Sequence, residues 1–100
     1  MVTGLKVIID SEAKKSLRQA YEYIRQDSLQ NAEKVRTKIL ESIKALPKNP
    51  EVHTPDKYRK NNDGSYRAYE IYRYRITYHV SPTEIRIIRI RHTKMNPLEY

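Results

Sequence analysis

The sequence predicts one α+β domain with the element order β-α-α-β-β-β, in which an N-terminal helical hairpin packs on one face of an antiparallel sheet. Two stretches between Ser11 and Leu46 repeat apolar residues at three- and four-residue steps, which predicts the helices. The later part of the chain is rich in β-branched residues and tyrosine, which predicts the strands. A chain of 100 residues can bury one modest core, so residues 1–100 are expected to form a single domain.

The first strand is predicted at Leu5–Ile9, where β-branched residues precede two polar residues. Asp10 or Ser11 is a suitable N-cap for the first helix, and Glu12 suits its first turn. The apolar stripe of this helix consists of Ala13, Leu17, Ala20 and Ile24.

The second helix is predicted to begin at a capping box formed by Asp27 and Gln30, and to end at Pro47. Its apolar stripe consists of Ala32, Val35, Ile39, Ile43 and Leu46. The connection between the two helices is short, so they are expected to fold back on each other as an antiparallel hairpin.

Residues 47–65 contain three prolines and are predicted to form an irregular surface loop. The run Tyr66–Val80 has no Gly or Pro and is too long for one ordinary strand, so a tight turn is expected within residues 71–73. Ser81–Thr83 is the next predicted turn, and Glu84–Arg91 is the last predicted strand. The first strand is expected to lie at an edge or beside the last strand.

Alternation along the third strand separates two sets of side chains. The set expected to face the helices is Tyr72, Tyr74, Ile76, Tyr78 and Val80. The set expected to face outward, as a cationic surface, is Arg73, Arg75, Thr77 and His79. Because the chain has no Phe or Trp, its internal tyrosines are interpreted mainly as core residues.

Positive charge is concentrated in residues 57–94, which hold ten Lys or Arg and three Asp or Glu in a chain of net charge +8. Six of the nine tyrosines fall in the same segment. This composition favours a polyanionic partner, such as nucleic acid or an acidic protein. A membrane surface fits less well, because the helical half is nearly balanced in charge.

The chain has no Cys, no long apolar run and no recognisable signal segment. These absences predict a cytoplasmic protein. The three histidines are scattered and have no spacing typical of metal ligands, so neither a metal nor a cofactor is expected.

The ordered set of motifs resembles the RelE/ParE superfamily of bacterial type II toxin–antitoxin toxins. The resemblance covers nearly the whole chain. It is carried by Tyr23-Ile24, Asn31-Ala32, Leu46 with Pro50, Arg67, the segment Tyr74–Val80 (YRITYHV), the segment Ile88–His92 (IRIRH) and the tail Pro97–Tyr100 (PLEY).

The resemblance implies a toxin of a plasmid-stabilisation type that is neutralised by an acidic antitoxin encoded beside it. RelE-like members are mRNA interferases, endoribonucleases that cleave mRNA in the ribosomal A site. ParE-like members inhibit DNA gyrase by binding, without catalysis. A third alternative is an inactive basic domain that binds RNA or an antitoxin, and the sequence leaves these alternatives open.

The nuclease hypothesis identifies Arg75, the arginine of the Tyr-Arg-Ile motif, as the group that stabilises the phosphoryl transition state. Arg67 and Lys94 are supporting cations in the order expected from the resemblance. His92 is the candidate general base, because arginine cannot accept a proton near neutrality. Tyr100 matches a terminal aromatic residue of some relatives. The candidate RNA-backbone contacts are Lys57, Lys60 and Arg73.

Overall fold

A computed structural model describes residues 5–94, and it confirms the predicted fold class and element order. The helices are α1 (Ser11–Arg25) and α2 (Leu29–Lys44), followed by a short 3₁₀ turn at Leu46–Lys48. The strands are β1 (Lys6–Ile9), β2 (Tyr66–Ile71), β3 (Tyr74–Val80) and β4 (Glu84–His92). No helix in the described part of the chain is long and apolar enough to cross a lipid bilayer.

The four strands form one sheet in the spatial order β1-β4-β3-β2. β2, β3 and β4 form the predicted antiparallel meander, and β1 lies at the edge beside β4. β1 pairs with β4 in parallel, from Lys6 opposite Glu84 to Ile9 opposite Ile87. The sheet is therefore mixed. The helical hairpin crosses one face of the sheet, and β4, the last strand of the meander, then runs beside β1 in the same direction.

The helix termini differ in part from the prediction. α2 begins one residue later than the predicted capping box, and its N-cap is Ser28, whose Oγ accepts a hydrogen bond from the Asn31 N–H at 3.1 Å. The capping box of Asp27 and Gln30 was therefore wrong. Asp10 occupies the N-cap position of α1, but its carboxylate makes no capping bond and instead accepts from Nη1 of Arg86 at 2.6 Å.

The predicted turn between β2 and β3 consists of Tyr72 and Arg73, which have φ values of 50° and 68°. Two consecutive residues of positive φ match the twist of a two-residue hairpin. Tyr72 and Arg73 are therefore not strand residues, and the placement of Arg73 on the outward side of the strand was wrong. Both side chains belong to the turn and are exposed. The Tyr72 ring still lies near the helices, with Nζ of Lys34 on α2 5.9 Å from its centroid.

The core lies between the helical hairpin and the inner face of the sheet, the face that carries Tyr74, Ile76 and Tyr78. The buried residues that fill it are Ala13, Leu17, Ala20, Ile39, Ile43, Leu46, Tyr74, Ile76, Tyr78, Ile85, Ile87 and Ile90. The opposite face, called the outer face below, carries Ala68, Arg75, Thr77, Arg89 and Arg91.

One residue of the outer face differs from the expectation. Thr77 is buried, with 3% of its surface exposed, rather than solvent-facing. It lies between Ala68 on β2, which is also buried, and Arg89 on β4, beside an irregularity in the pairing at Thr77 and Tyr78. Only part of the outer face is therefore open to solvent.

Candidate functional site

Arg75 projects from β3 on the outer face and contacts two carboxylates. Its Nη2 donates to Oδ1 of Asp56 at 2.8 Å, and its Nη1 lies 3.6 Å from Oε2 of Glu70. The Asp56 side chain is 1% exposed and that of Arg75 is 21% exposed. The Arg75 guanidinium also lies over the ring of Tyr58, 4.9 Å from its centroid. Arg75 therefore links the loop before β2 to the sheet, and its charge has an internal partner.

Asp56 is held by several further hydrogen bonds. Its Oδ1 accepts from the Tyr58 N–H at 3.1 Å, and its backbone N–H donates to the Tyr66 carbonyl at 2.8 Å. Its carbonyl accepts from Nδ2 of Asn62 at 3.1 Å. The sequence analysis did not identify Asp56, and the only available signal is that no other acidic residue lies between Glu51 and Asp63.

Arg67 lies on the other face of the sheet from Arg75. It is opposite Tyr78 in the β2–β3 register, and Tyr78 faces the core. Its Nη1 donates to the His53 carbonyl at 2.7 Å and to the Glu51 carbonyl at 3.4 Å. Its Nε is buried and has no hydrogen-bond partner among residues 5–94. Arg67, the expected supporting cation, and Arg75 therefore lie on opposite faces of the sheet.

His92 and Lys94 lie together at the end of β4. His92 is opposite Tyr74, on the inner face, and the two rings meet edge to face with centroids 5.0 Å apart. The Nδ1 of His92 accepts a hydrogen bond from the Lys94 N–H at 3.0 Å. This nitrogen therefore already accepts a hydrogen bond, and the ring lies on the opposite face of the sheet from Arg75.

A groove of about 660 Å³ opens between α1 and the ends of β3 and β4. Its apolar surface comes from Ala20, Tyr23, Tyr74 and Ile90, and Tyr23 is 70% exposed. The polar and basic residues that line it are Ser16, Gln19, Arg91, His92 and Lys94. The groove therefore combines an apolar surface with a basic end.

The remaining candidates are dispersed. Lys57 and Lys60 are exposed in the loop, and Nζ of Lys57 lies 5.3 Å from the ring centroid of Tyr58. Arg73 lies in the β2–β3 turn, where its carbonyl accepts from the Thr93 N–H at 2.8 Å. Tyr100 lies outside the described residues. Of the proposed catalytic group, the structure brings together His92 and Lys94 and separates Arg67 from Arg75.

Two arginines that the sequence analysis did not single out lie on the outer face. Arg91 is directly opposite Arg75 in the β3–β4 register, and Arg89 is opposite Thr77. The signal available in the sequence was the alternation Arg89-Ile90-Arg91, in which the isoleucine marks the buried face. Together with Arg75, these residues place three arginines on two adjacent strands of the outer face, called the arginine cluster below.

Aromatic residues on the inner face have mainly a packing role, as predicted. Tyr78 is fully buried, and its hydroxyl donates to the Pro50 carbonyl at 2.8 Å. Burial raises the pKa of Tyr78 to about 12. The His53 ring stacks on Tyr69 with centroids 4.0 Å apart, and burial lowers the pKa of His53. These contacts attach the loop to β2 and β3.

Three solved structures that are similar in fold come from toxin–antitoxin systems. The chromosomal ParDE system from P. aeruginosa matches with a TM-score of 0.69 and 21% identity, over 89% of this chain and 96% of that one. The YoeB dimer from Staphylococcus aureus matches with a TM-score of 0.58 and 22% identity, over 90% and 98%. The YoeB–YefM complex from the same organism gives 0.54 and 17%, over 90% and 98%. The chain therefore shares the fold of these proteins.

The family follows from the sequence. The family model described as "ParE toxin of type II toxin-antitoxin system, parDE" matches residues 7–97. The chain belongs to this family of type II toxins, which confirms the resemblance to the RelE/ParE superfamily. No curated protein sequence matches the chain.

We expect the pair of Arg75 and Asp56 to behave as a buried, coupled ion pair. Arg75→Met leaves a buried carboxylate without its counterion and should lower the free energy of unfolding by about 3–5 kcal/mol. Asp56→Leu should also destabilise, and the double variant should lose less than the sum of the two single losses. Urea denaturation of the four proteins measures this coupling.

The exposed pair of Lys38 and Glu41, whose Nζ and Oε1 are 3.5 Å apart, provides the control for that experiment. Glu41→Ala should change the free energy of unfolding by less than about 1 kcal/mol. Additive losses in the Arg75 and Asp56 variants would contradict the coupling.

We expect the free energy of unfolding to decrease at acidic pH, and we expect part of this decrease to come from protonation of His53. The pKa of His53 is lower in the folded than in the unfolded chain, so acid protonates the unfolded chain first. The contribution of His53 to the free energy of unfolding is therefore fully present above the unfolded pKa of 6.5 and decreases as the pH falls below that value. His53→Phe keeps a ring against Tyr69 and does not titrate. The loss of unfolding free energy between pH 7.5 and 5 should therefore be smaller in this variant than in the wild type. An equal loss in both proteins would show that His53 does not contribute.

Proposed function

We propose that this ParE-family toxin acts by binding and inhibiting DNA gyrase, and that it does not cleave RNA. The observation that carries the proposal is the arrangement of the two candidate arginines. Arg67 and Arg75 project from opposite faces of the sheet, and each contacts groups of the protein itself. An inhibitor that acts by binding requires no reactive constellation, only a complementary surface.

The chemistry of RNA cleavage explains why this arrangement disfavours a nuclease. Attack of a ribose 2′-hydroxyl on the adjacent phosphate accumulates negative charge on the phosphoryl oxygens, and fixed cations must lie within hydrogen-bond distance of them. The carboxylate of Asp56 already occupies one such position at Nη2 of Arg75. A phosphate would have to replace a buried carboxylate that also accepts the Tyr58 N–H.

The candidate general base is also separated from Arg75. A base must lie within hydrogen-bond reach of the 2′-hydroxyl while the cation contacts the phosphate. His92 projects from the inner face, and its Nδ1 accepts the Lys94 N–H. With Arg75 on the outer face, the two groups cannot contact one nucleotide from the same side.

Two parallel assays test the proposal with the purified toxin. Gyrase supercoiling of relaxed plasmid should be inhibited, and mRNA on translating ribosomes should remain intact. The double variant Arg75→Met, Asp56→Leu should keep most of the inhibition, because it removes a charge pair that is internal to the toxin. Thermal unfolding of this variant establishes that it is folded.

Two results would overturn the proposal. One is ribosome-dependent cleavage of mRNA that the wild type performs and the folded double variant does not, since this would make Arg75 a catalytic residue. The other is supercoiling that proceeds at the normal rate in the presence of excess toxin.

An antitoxin partner belongs to the same proposal. One of the similar solved structures is a YoeB–YefM complex, and the family is described as the toxin of a type II toxin–antitoxin system. We place the antitoxin in the groove between α1 and the end of β4. The apolar surface of Tyr23, Tyr74 and Ile90 suits the apolar side of an amphipathic segment. Arg91 and Lys94 suit acidic residues at the end of such a segment.

The groove assignment is tested with the antitoxin encoded beside the toxin gene. Tyr23→Ala combined with Lys94→Glu removes an exposed ring and reverses an exposed charge, and should weaken binding about 30-fold or more in calorimetry. Leu29→Ala combined with Lys34→Glu makes the same kinds of change at exposed positions outside the groove, and should leave the affinity nearly unchanged. Equal losses in the two double variants would contradict the assignment.

A further inference from the structure

The backbone of β1 forms an open edge of the sheet. The N–H groups of Lys6 and Asp10 donate to carbonyls on the β4 side, at 3.3 and 2.9 Å. Because peptide groups alternate in direction along a strand, Val7 and Ile9 direct their N–H and C=O groups away from β4. In the sheet formed by residues 5–94, no strand lies beyond β1.

The opposite edge of the sheet is covered by the chain itself. The Ala68 N–H of β2 donates to the Thr54 carbonyl at 3.2 Å, and the Tyr66 carbonyl accepts from the Asp56 N–H at 2.8 Å. The loop before β2 therefore protects that edge. An edge without such cover is a template for pairing with a further strand. In the described part of the chain, β1 is the edge at which another strand can add.

The side chains of β1 and of the residue after it divide between the two faces of the sheet. Val7 and Ile9 pack against the core on the inner face. Alternation then places Lys6, Ile8 and Asp10 on the outer face. Ile8 is half-buried and lies between a cationic and an anionic residue of that face.

The two charged side chains remain accessible at this edge. Lys6 is exposed, and Glu84, which is opposite it on β4, contacts Nε of Arg86 at 3.0 Å. The Asp10 side chain is 33% exposed and accepts from Arg86 through Oδ1. A carboxylate has a second oxygen that a further cation can contact. The edge therefore has a cation at one end and an anion at the other.

An edge of this pattern is complementary to a second copy of itself. In an antiparallel pair with its two-fold axis at Ile8, Lys6 of each copy lies opposite Asp10 of the other. The two Ile8 side chains meet at a closely spaced position, and Val7 and Ile9 exchange backbone hydrogen bonds between the copies. An axis at Lys6 would oppose like charges, and an axis at Val7 would oppose Lys6 to Ile8. Cross-strand pairing therefore favours the axis at Ile8.

We propose that the toxin forms a symmetric dimer by antiparallel pairing of β1 with β1 of a second copy, with Ile8 at the two-fold axis. The two sheets join into one, whose outer edges are the two β2 strands, each covered by its own loop. Pairing of this isologous kind closes on itself, so assembly stops at two copies.

The dimer is weak for two reasons. The paired segment is short, so it buries little surface. Each chain also carries a net charge of +8, and the resulting repulsion is reduced by salt. The dimer therefore forms at high protein concentration and is favoured by added salt. β1 pairs with residues 84–87 of β4, whereas the groove lies at residues 90–94, so the two surfaces use different parts of that strand.

Sedimentation velocity of the full-length toxin in about 0.3 M salt measures the association. The mass should rise from 12.0 kDa toward twice that value as the concentration increases from about 1 to about 500 μM. Ile8→Lys places two ammonium groups at the two-fold axis and should stay monomeric throughout.

Two charge reversals test the complementarity. Lys6→Glu places a carboxylate opposite Asp10 of the second copy and should weaken the association about tenfold. Lys60→Glu is the matched control, since it makes the same change of charge at an exposed position of the loop before β2. This control should not weaken the association.

Cysteine cross-linking tests the register, since the natural chain has no Cys. Opposed Cα atoms at a closely spaced antiparallel position are about 4.5 Å apart, which a disulfide can bridge. Ile8→Cys should therefore give a disulfide-linked dimer under mild oxidation. Lys6→Cys should not, because a four-residue offset at about 3.4 Å per residue separates the two positions by about 14 Å. Non-reducing electrophoresis measures the yields.

Thermal unfolding establishes that each variant is folded. The proposal is overturned if the wild type is monomeric at about 500 μM, if Ile8→Lys still dimerises, if Lys60→Glu weakens the association as much as Lys6→Glu, or if Lys6→Cys cross-links as well as Ile8→Cys. A monomeric toxin whose antitoxin affinity falls after Ile8→Lys would assign the edge to an antitoxin strand instead. Neither gyrase nor RNA takes part in these measurements, so their outcome is independent of the proposed function.

Discussion

The ion pair between Arg75 and Asp56 is the contact on which both the long loop and the outer face depend. It joins the loop before β2 to the middle strand of the meander, and its carboxylate is almost completely buried. A buried carboxylate requires a counterion and hydrogen-bond donors, and Arg75 and the Tyr58 N–H supply them. The same pair compensates the charge of Arg75, the residue that the nuclease hypothesis assigned to the phosphoryl group.

The two faces of the sheet differ in the side chains that they carry. The inner face packs against the helices, and its tyrosines replace the phenylalanine and tryptophan that the chain lacks. The Tyr78 hydroxyl donates a hydrogen bond to the Pro50 carbonyl, and this bond allows a phenol to occupy a fully buried position. The outer face carries charge, and the groove lies at the edge where α1 meets β4. The outer face and the groove are therefore two distinct surfaces of the described chain.

Periodicity locates both helices and the last three strands, because each element buries one regular stripe of side chains. It fails where a contact depends on distant parts of the chain. Nothing near Asp56 indicates that it will meet Arg75, and strand alternation continues through Tyr72 and Arg73 although a left-handed turn begins there. The family resemblance correctly anticipates the class of protein. It does not anticipate that Arg67 and Arg75 diverge, because that follows from the register of β2 on β3.

The parallel pairing of β1 with β4 has a consequence for biosynthesis. The two strands come from nearly opposite ends of the described chain, and Lys6 pairs with Glu84. The edge of the sheet therefore cannot close until β4 has left the ribosome, and contacts of such long sequence separation form late in folding. During translation the toxin lacks its finished sheet, and with it the groove and the arginine cluster, both of which include β4 residues. A nascent chain therefore has neither surface until its last described strand has been made.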